Sequence, residues 1–145
     1  MIIPNNKLDI LTKIHLVAIF DGRFDANCIA SLTIRGSTSG IVHFLLDFRV
    51  YYPEYITGKN IVQNSKDTTG WKEELVSELP DLLAVNDIEV VIGPELFHTT
   101  INGDGSIIPP YPVITSEMFE RLVILYTGSC FTFNLDKSYI KSLCE

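Results

Sequence analysis

The chain has 145 residues, 46% of them hydrophobic and 20% charged, with a formal net charge of −7. Such a length suits one domain with one core over residues 1–145, able to bury about two thirds of the unfolded surface, and the composition excludes a disordered chain. There is no apolar run near the ~20 residues of a membrane-spanning helix, no secretory signal, and only three scattered cysteines (Cys28, Cys130, Cys144) that match neither a disulfide framework nor a zinc ribbon, so a reducing cytoplasm is the expected location.

From Leu8 to Tyr52 the hydrophobic pattern has period two. Ile14, Leu16, Ala18 and Phe20 form one set, Cys28, Ala30, Leu32 and Ile34 a second, and Val42, Phe44, Leu46, Phe48 and Val50 a third. Three strands joined by the turn-like "DGRFD" and "GSTSG" are expected, as a meander pairing Phe20 with Ala26 and Arg35 with Ile41. Its other face carries Lys13, His15, Ser31, Thr33, Arg35, His43, Asp47 and Arg49 among several apolar residues. A second layer or another protein should cover part of it.

Beyond a polar connection that includes Tyr55, the period changes. Trp71, Leu75, Leu79 and Leu82 recur as one stripe with Glu73, Glu74, Glu78 and Asp81 opposite, which predicts an amphipathic helix kinked at Pro80. Ile88–Ile92 reads as a buried strand, and "LFHTTINGDGSII" as a hairpin about Asn102-Gly103. "TSEMFERLVILYTG" predicts a second helix capped by Thr115 or Ser116, "SCFTFNL" a last strand, and "DKSYIKSLCE" a short helix or tail. The expected class is α+β: mainly antiparallel sheet beginning with a three-stranded meander, two main helices packed on it, with a two-sheet sandwich or half-barrel still compatible.

Catalytic chemistry finds little support. His15, His43 and His98 have no partner at metal-ligand spacing, and His43 stands about 13 Å along its strand from Asp47, too far to be oriented by it. Neither phosphate-loop nor dinucleotide glycine spacing occurs, and "NGDG" and "DGRFD" read as turns. No metal and no cofactor are expected. Tyr51, Tyr52, Tyr55 and Trp71 suggest base stacking, but the acidic charge opposes binding to nucleic acid directly.

The charge itself is the strongest signal. Residues 67–95 hold eight acids and one base, Lys72, a net −7 equal to that of the whole chain. A short, acidic α+β chain with this carboxylate-dense segment resembles the immunity proteins of bacterial toxin systems, including contact-dependent growth inhibition. The resemblance implies a non-enzymatic, stoichiometric inhibitor whose partner is a toxin domain, often a basic nuclease, masked at its active site or nucleic-acid surface. Clustered carboxylates would meet the cations such a nuclease offers to phosphates. The expected contacts are Glu73, Glu74, Glu78 and Asp81 on the helix, Asp87 and Glu89 after it, and Trp71 or Tyr55 as an aromatic anchor. Two alternatives stay open: a small-ligand or regulatory binding module with a pocket between sheet and helices, and an enzyme of unfamiliar type.

Overall fold

A computed structural model describes residues 2–3, 10–20, 28–36, 40–50, 59–80, 82–113, 119–127 and 131–143. The strands are β1 (Ile2–Ile3), β2 (Thr12–Phe20), β3 (Cys28–Gly36), β4 (Val42–Val50), β5 (Lys59–Asp67), β6 (Gly70–Trp71) and β7 (Leu75–Glu78), followed by β8 (Val85–Ile92), β9 (Leu96–Ile101), β10 (Tyr111–Pro112), β11 (Phe119–Thr127), β12 (Phe131–Phe133) and β13 (Tyr139–Ser142). One 3-10 turn, Leu135–Lys137, is the only helical element among the described residues. The strands form two antiparallel sheets. The first has the order β1-β11-β3-β4-β5-β6, with β7 also on β5; the second has the order β10-β9-β8-β2-β12, with β13 also on β2.

Alternation builds the core between the sheets. Ile14, Leu16 and Ala18 of β2 and Ile88, Val90 and Ile92 of β8 come from the second sheet; Ala30, Leu32, Ile34, Phe44, Leu46, Phe48, Leu122 and Ile124 come from the first. Phe44 of β4 stacks on Phe97 of β9 with ring centroids 4.6 Å apart and planes 12° apart, and Phe48 meets Phe131 of β12 at 6.4 Å. These cross-sheet aromatic contacts hold the two layers face to face, the arrangement of a β-sandwich.

Several expectations are corrected. The three-stranded meander does not form, because β2 pairs with β8, β12 and β13 in the second sheet while β3 and β4 pair in the first. Period-two alternation determines which face of a strand is apolar, and strands facing one core from either sheet share that pattern. The expected Phe20–Ala26 pair lies partly outside the described residues. Between β3 and β4 the register places Ile34 opposite Phe44 and Arg35 opposite Val42, with an irregularity between Ile34 and Arg35. Through most of the pair this is two residues from the expected register, a shift that preserves the faces.

Neither main helix is present among the described residues. In place of the first helix stand two short strands: β6 pairs with the end of β5, and β7 with its middle. The stripe that suggested a helix is not buried as one, since Leu79 is 4% exposed but Trp71 is 51% and Leu75 37% exposed. Strand β5, with Asn60 to Ser65 all buried, has backbone groups on that side that need partners, and a second strand supplies them. Helix propensity is too weak to resist that demand. The second predicted helix becomes β11, which pairs along β3 with Leu122 and Ile124 in the core; its expected caps, Thr115 and Ser116, lie outside the described residues. "RLVILYT" is apolar at both parities, so periodicity alone does not separate a buried strand from a buried helix there.

Candidate functional site

On the face of the first sheet turned away from the core, four neighbouring strands bring polar groups together. Asp47 and Arg49 on β4 alternate with core-facing Leu46 and Phe48. Ser31 of β3 stands opposite Asp47, and Asn64 of β5 opposite Leu45. The chain leaving β6 adds Trp71, Lys72 and Glu74. Together these eight residues line a cleft of about 460 Å³, within the ~300–1,000 Å³ usual for small-molecule sites.

The floor is an ion-pair network. Arg49 donates from Nε and Nη2 to Asp47 Oδ2, at 3.1 and 3.0 Å, and its Nη2 also lies 3.0 Å from Glu74 Oε2. Ser31 Oγ donates to the other oxygen of Asp47 at 2.5 Å. Asp47 and Arg49 side chains are only 8% and 12% exposed, whereas Glu74 is 40% exposed. Burial at this level is tolerable because each charge is both paired and hydrogen-bonded. Such a floor is rigid, with donors and acceptors fixed in place.

The rim is braced separately. Asp67 Oδ1 accepts from the Thr69 N–H at 2.8 Å and the Thr69 hydroxyl at 2.6 Å, while Lys72 Nζ lies 2.6 Å from Asp67 Oδ2. The Lys72 ammonium and these Thr69 bonds hold the Asp67 carboxyl well below the usual carboxylate range. Gly70 has φ +119, a conformation L side chains rarely adopt. Lys72 N–H donates to Ser65 O at 2.9 Å, and Asn64 Nδ2 donates to Lys72 O at 3.0 Å. The tight turn therefore fixes the backbone on both sides of Trp71. Its indole stays half exposed, with the Lys66 ammonium 5.6 Å from the ring centroid.

The expected contact residues do not form one surface. Trp71 and Glu74 enter the cleft, Glu73 is exposed beside it, and Glu78 is exposed on β7. Asp87 and Glu89 belong to β8 in the second sheet, on its outward face. There His15 lies 3.2 Å from Asp87 and 2.9 Å from Glu89, stacked on Tyr139 at 4.8 Å, and Lys13 lies 3.1 Å from Glu89. Burial pushes the Glu89 carboxyl up, but its bonds to His15 and Lys13 together outweigh that and leave it below the usual range. Tyr55 and Asp81 lie outside the described residues. So the acid run, continuous in sequence, divides between two opposite faces. Among the described residues no cluster of three or more His, Cys, Asp or Glu side chains is arranged to hold a metal ion.

From the sequence, Asp47 and Arg49 are expected on the open face but not as a pair, and Asn64 is not singled out. The available signal was spacing. Asp47-x-Arg49 places acid and base on one side of a strand, and a tryptophan directly after the turn "DTTG", followed by Glu74, returns to that same side. His43, expected on the open face, is 1% exposed and meets the ring of Phe119 edge-on at 4.7 Å.

No protein-family model matches the sequence, and no curated protein matches it. Solved structures do. Sheep galectin-11 in complex with glycerol aligns at a TM-score of 0.73 and 10% identity over 97% of this chain and 95% of that one. A tetrameric galectin from the ball sponge Cinachyrella sp. aligns at 0.71 and 16% identity over 98% and 97%. An ancestral congerin aligns at 0.69 and 16% identity over 97% and 98%. The chain therefore has the galectin fold, a β-sandwich. This overturns the α+β class and the likeness to immunity proteins, and removes the basis for a toxin partner. Size and local charge, on which that likeness rested, are shared by many folds.

Proposed function

We propose that this chain is a carbohydrate-binding protein of lectin type, and that the cleft over Asp47, Arg49, Asn64, Trp71 and Glu74 is its sugar site. The observation that carries this reading is a half-exposed tryptophan held at the rim of a cleft whose floor is a fixed array of hydrogen-bonding groups. A pyranose ring has an apolar face of C–H groups and a rim of hydroxyls. The indole offers the first a flat apolar partner, and the floor offers the second both donors and acceptors. Carboxylate oxygens of Asp47 and Glu74 accept from hydroxyls, and Arg49 donates to hydroxyl or ring oxygens. Asn64 spends one amide hydrogen on Lys72 O and one lone pair on the Ser65 N–H, which leaves a second of each for a ligand. The galectin fold supports the same reading, galectins being lectins.

The chemistry is binding without turnover. Each sugar hydroxyl exchanges water for protein at a net gain of about 0.5–1.5 kcal/mol, and stacking on the indole adds a similar amount. Four such contacts, the stack among them, total about 2–6 kcal/mol and place affinity between about 30 mM and 40 μM. Trp71 is the only tryptophan of the chain, so intrinsic fluorescence reports the site directly. A panel of neutral monosaccharides and disaccharides should include members that change Trp71 emission saturably and release heat in calorimetry. Silence of both signals across a broad glycan panel would overturn the reading.

A further inference from the structure

The described residues that line the cleft carry two acids, Asp47 and Glu74, and two bases, Arg49 and Lys72, but these charges are unevenly placed. Its two cations are not equivalent: the Lys72 ammonium is turned to Asp67 at 2.6 Å, whereas Arg49 faces two carboxylates, Asp47 and Glu74, each at 3.0 Å from the same Nη2. Among the described residues, with Lys72 turned to Asp67, one guanidinium lies between two carboxylates where ligand oxygens must bond. Lys66 lies over the indole and outside the residues that line the cleft.

We infer that the cleft takes uncharged sugars and rejects sugars whose own carboxylate or sulfate would be seated over Arg49. This rests on the carbohydrate reading above and narrows it to a ligand class. An anion close enough to bond Arg49 is held near Asp47 and Glu74 as well, so one attraction is set against two repulsions of similar range. A neutral hydroxyl meets none of this. It donates to a carboxylate or accepts from the guanidinium without disturbing the network. Asp47 is the decisive residue: its charge is the more buried of the two, screened least by salt, and fixed in position by Ser31.

The test compares each hexose that binds with its hexuronic acid, a pair that differs in one CH₂OH against a carboxylate. Binding is read by Trp71 emission and calorimetry on the full chain at low and moderate salt. The hexuronic acid should bind at least about tenfold more weakly, with the gap narrowing as salt rises. In Glu74→Gln, and in Asp47→Asn provided its melting curve is cooperative, the ratio of the two affinities should fall several-fold even if both affinities drop. Removal of a polar contact alone would weaken both sugars and leave the ratio unchanged. Equal or tighter binding of the hexuronic acid, or a ratio unmoved in Glu74→Gln, overturns the charge filter while carbohydrate binding stands. Failure of every neutral sugar to bind sinks the carbohydrate reading and the filter with it.

Discussion

Replacing Arg49 by glutamine tests the ion-pair floor directly. The substitution keeps most of the side-chain length and removes the charge. Asp47, whose side chain is 8% exposed, would keep the Ser31 hydroxyl at 2.5 Å but lose both guanidinium bonds, at 3.0 and 3.1 Å. Breaking a fully buried pair by removing one partner costs about 3–5 kcal/mol, because a charge is left uncompensated. The residual exposure of both side chains reduces this, and about 2–4 kcal/mol is expected. For a chain of this size that corresponds to a fall in Tm of roughly 5–15 °C. The double variant Asp47→Asn with Arg49→Gln removes both charges and should recover at least half of the loss, since two amides can satisfy each other. The measurement is urea unfolding followed by far-UV circular dichroism on wild type, both single variants and the double variant, which together form a thermodynamic cycle. A cost below about 0.5 kcal/mol for Arg49→Gln, or a double variant less stable than Arg49→Gln alone, would refute a buried, mutually compensating pair.

Phe44→Ala should cost about 3–5 kcal/mol in the same assay, because the ring is fully buried between the sheets and stacks on Phe97. Trp71→Ala should alter stability by less than about 1 kcal/mol, the ring being half exposed, yet abolish the calorimetric sugar signal. Gly103→Ala should cost about 1 kcal/mol through the φ of +82 alone, since nothing lies within 4 Å of the added Cβ. Glu89, with a lowered pKa, contributes stability above its ordinary value of 4.5 that is lost as pH falls through the folded-state value. Glu89→Gln should therefore flatten the acid limb of the stability–pH curve below about pH 4.5 and, because Glu89 also raises the Lys13 pKa, remove the small loss of stability as pH rises above 10.5.

Some of this architecture is legible in the residues alone. Alternation identifies Leu16, Leu32, Phe44 and Leu46 as inward-facing, and the structure buries all four. That property is local: successive side chains of a strand point to opposite faces whatever its neighbours are. Antiparallel sheet follows from the same signal. Asn102-Gly103 marks a tight turn because both residues adopt positive φ, 52 and 82, and Ile101 bridges Asp104 across it. The tight turn is real, although the longer hairpin expected around it is not, since β9 pairs with β8 and β10 instead.

What tertiary structure alone decides is adjacency. Which sheet receives β2 depends on β8, some seventy residues away in sequence, and no pattern within β2 encodes that choice. The placing of Trp71 and Leu75 in edge strands instead of a helix comes from the backbone hydrogen-bonding demand of β5, a non-local term larger than helix propensity. The acid run has one sign of charge along the chain but two destinations in space. Glu74 reaches Arg49 across the first sheet, while Asp87 and Glu89 meet His15 on the second. A sequence records how many carboxylates stand near each other along the chain. Only the packing of strands brings Asp47, Arg49, Asn64, Trp71 and Glu74 around one cleft, because sheet neighbours are chosen by burial and backbone pairing over distances that local composition does not register.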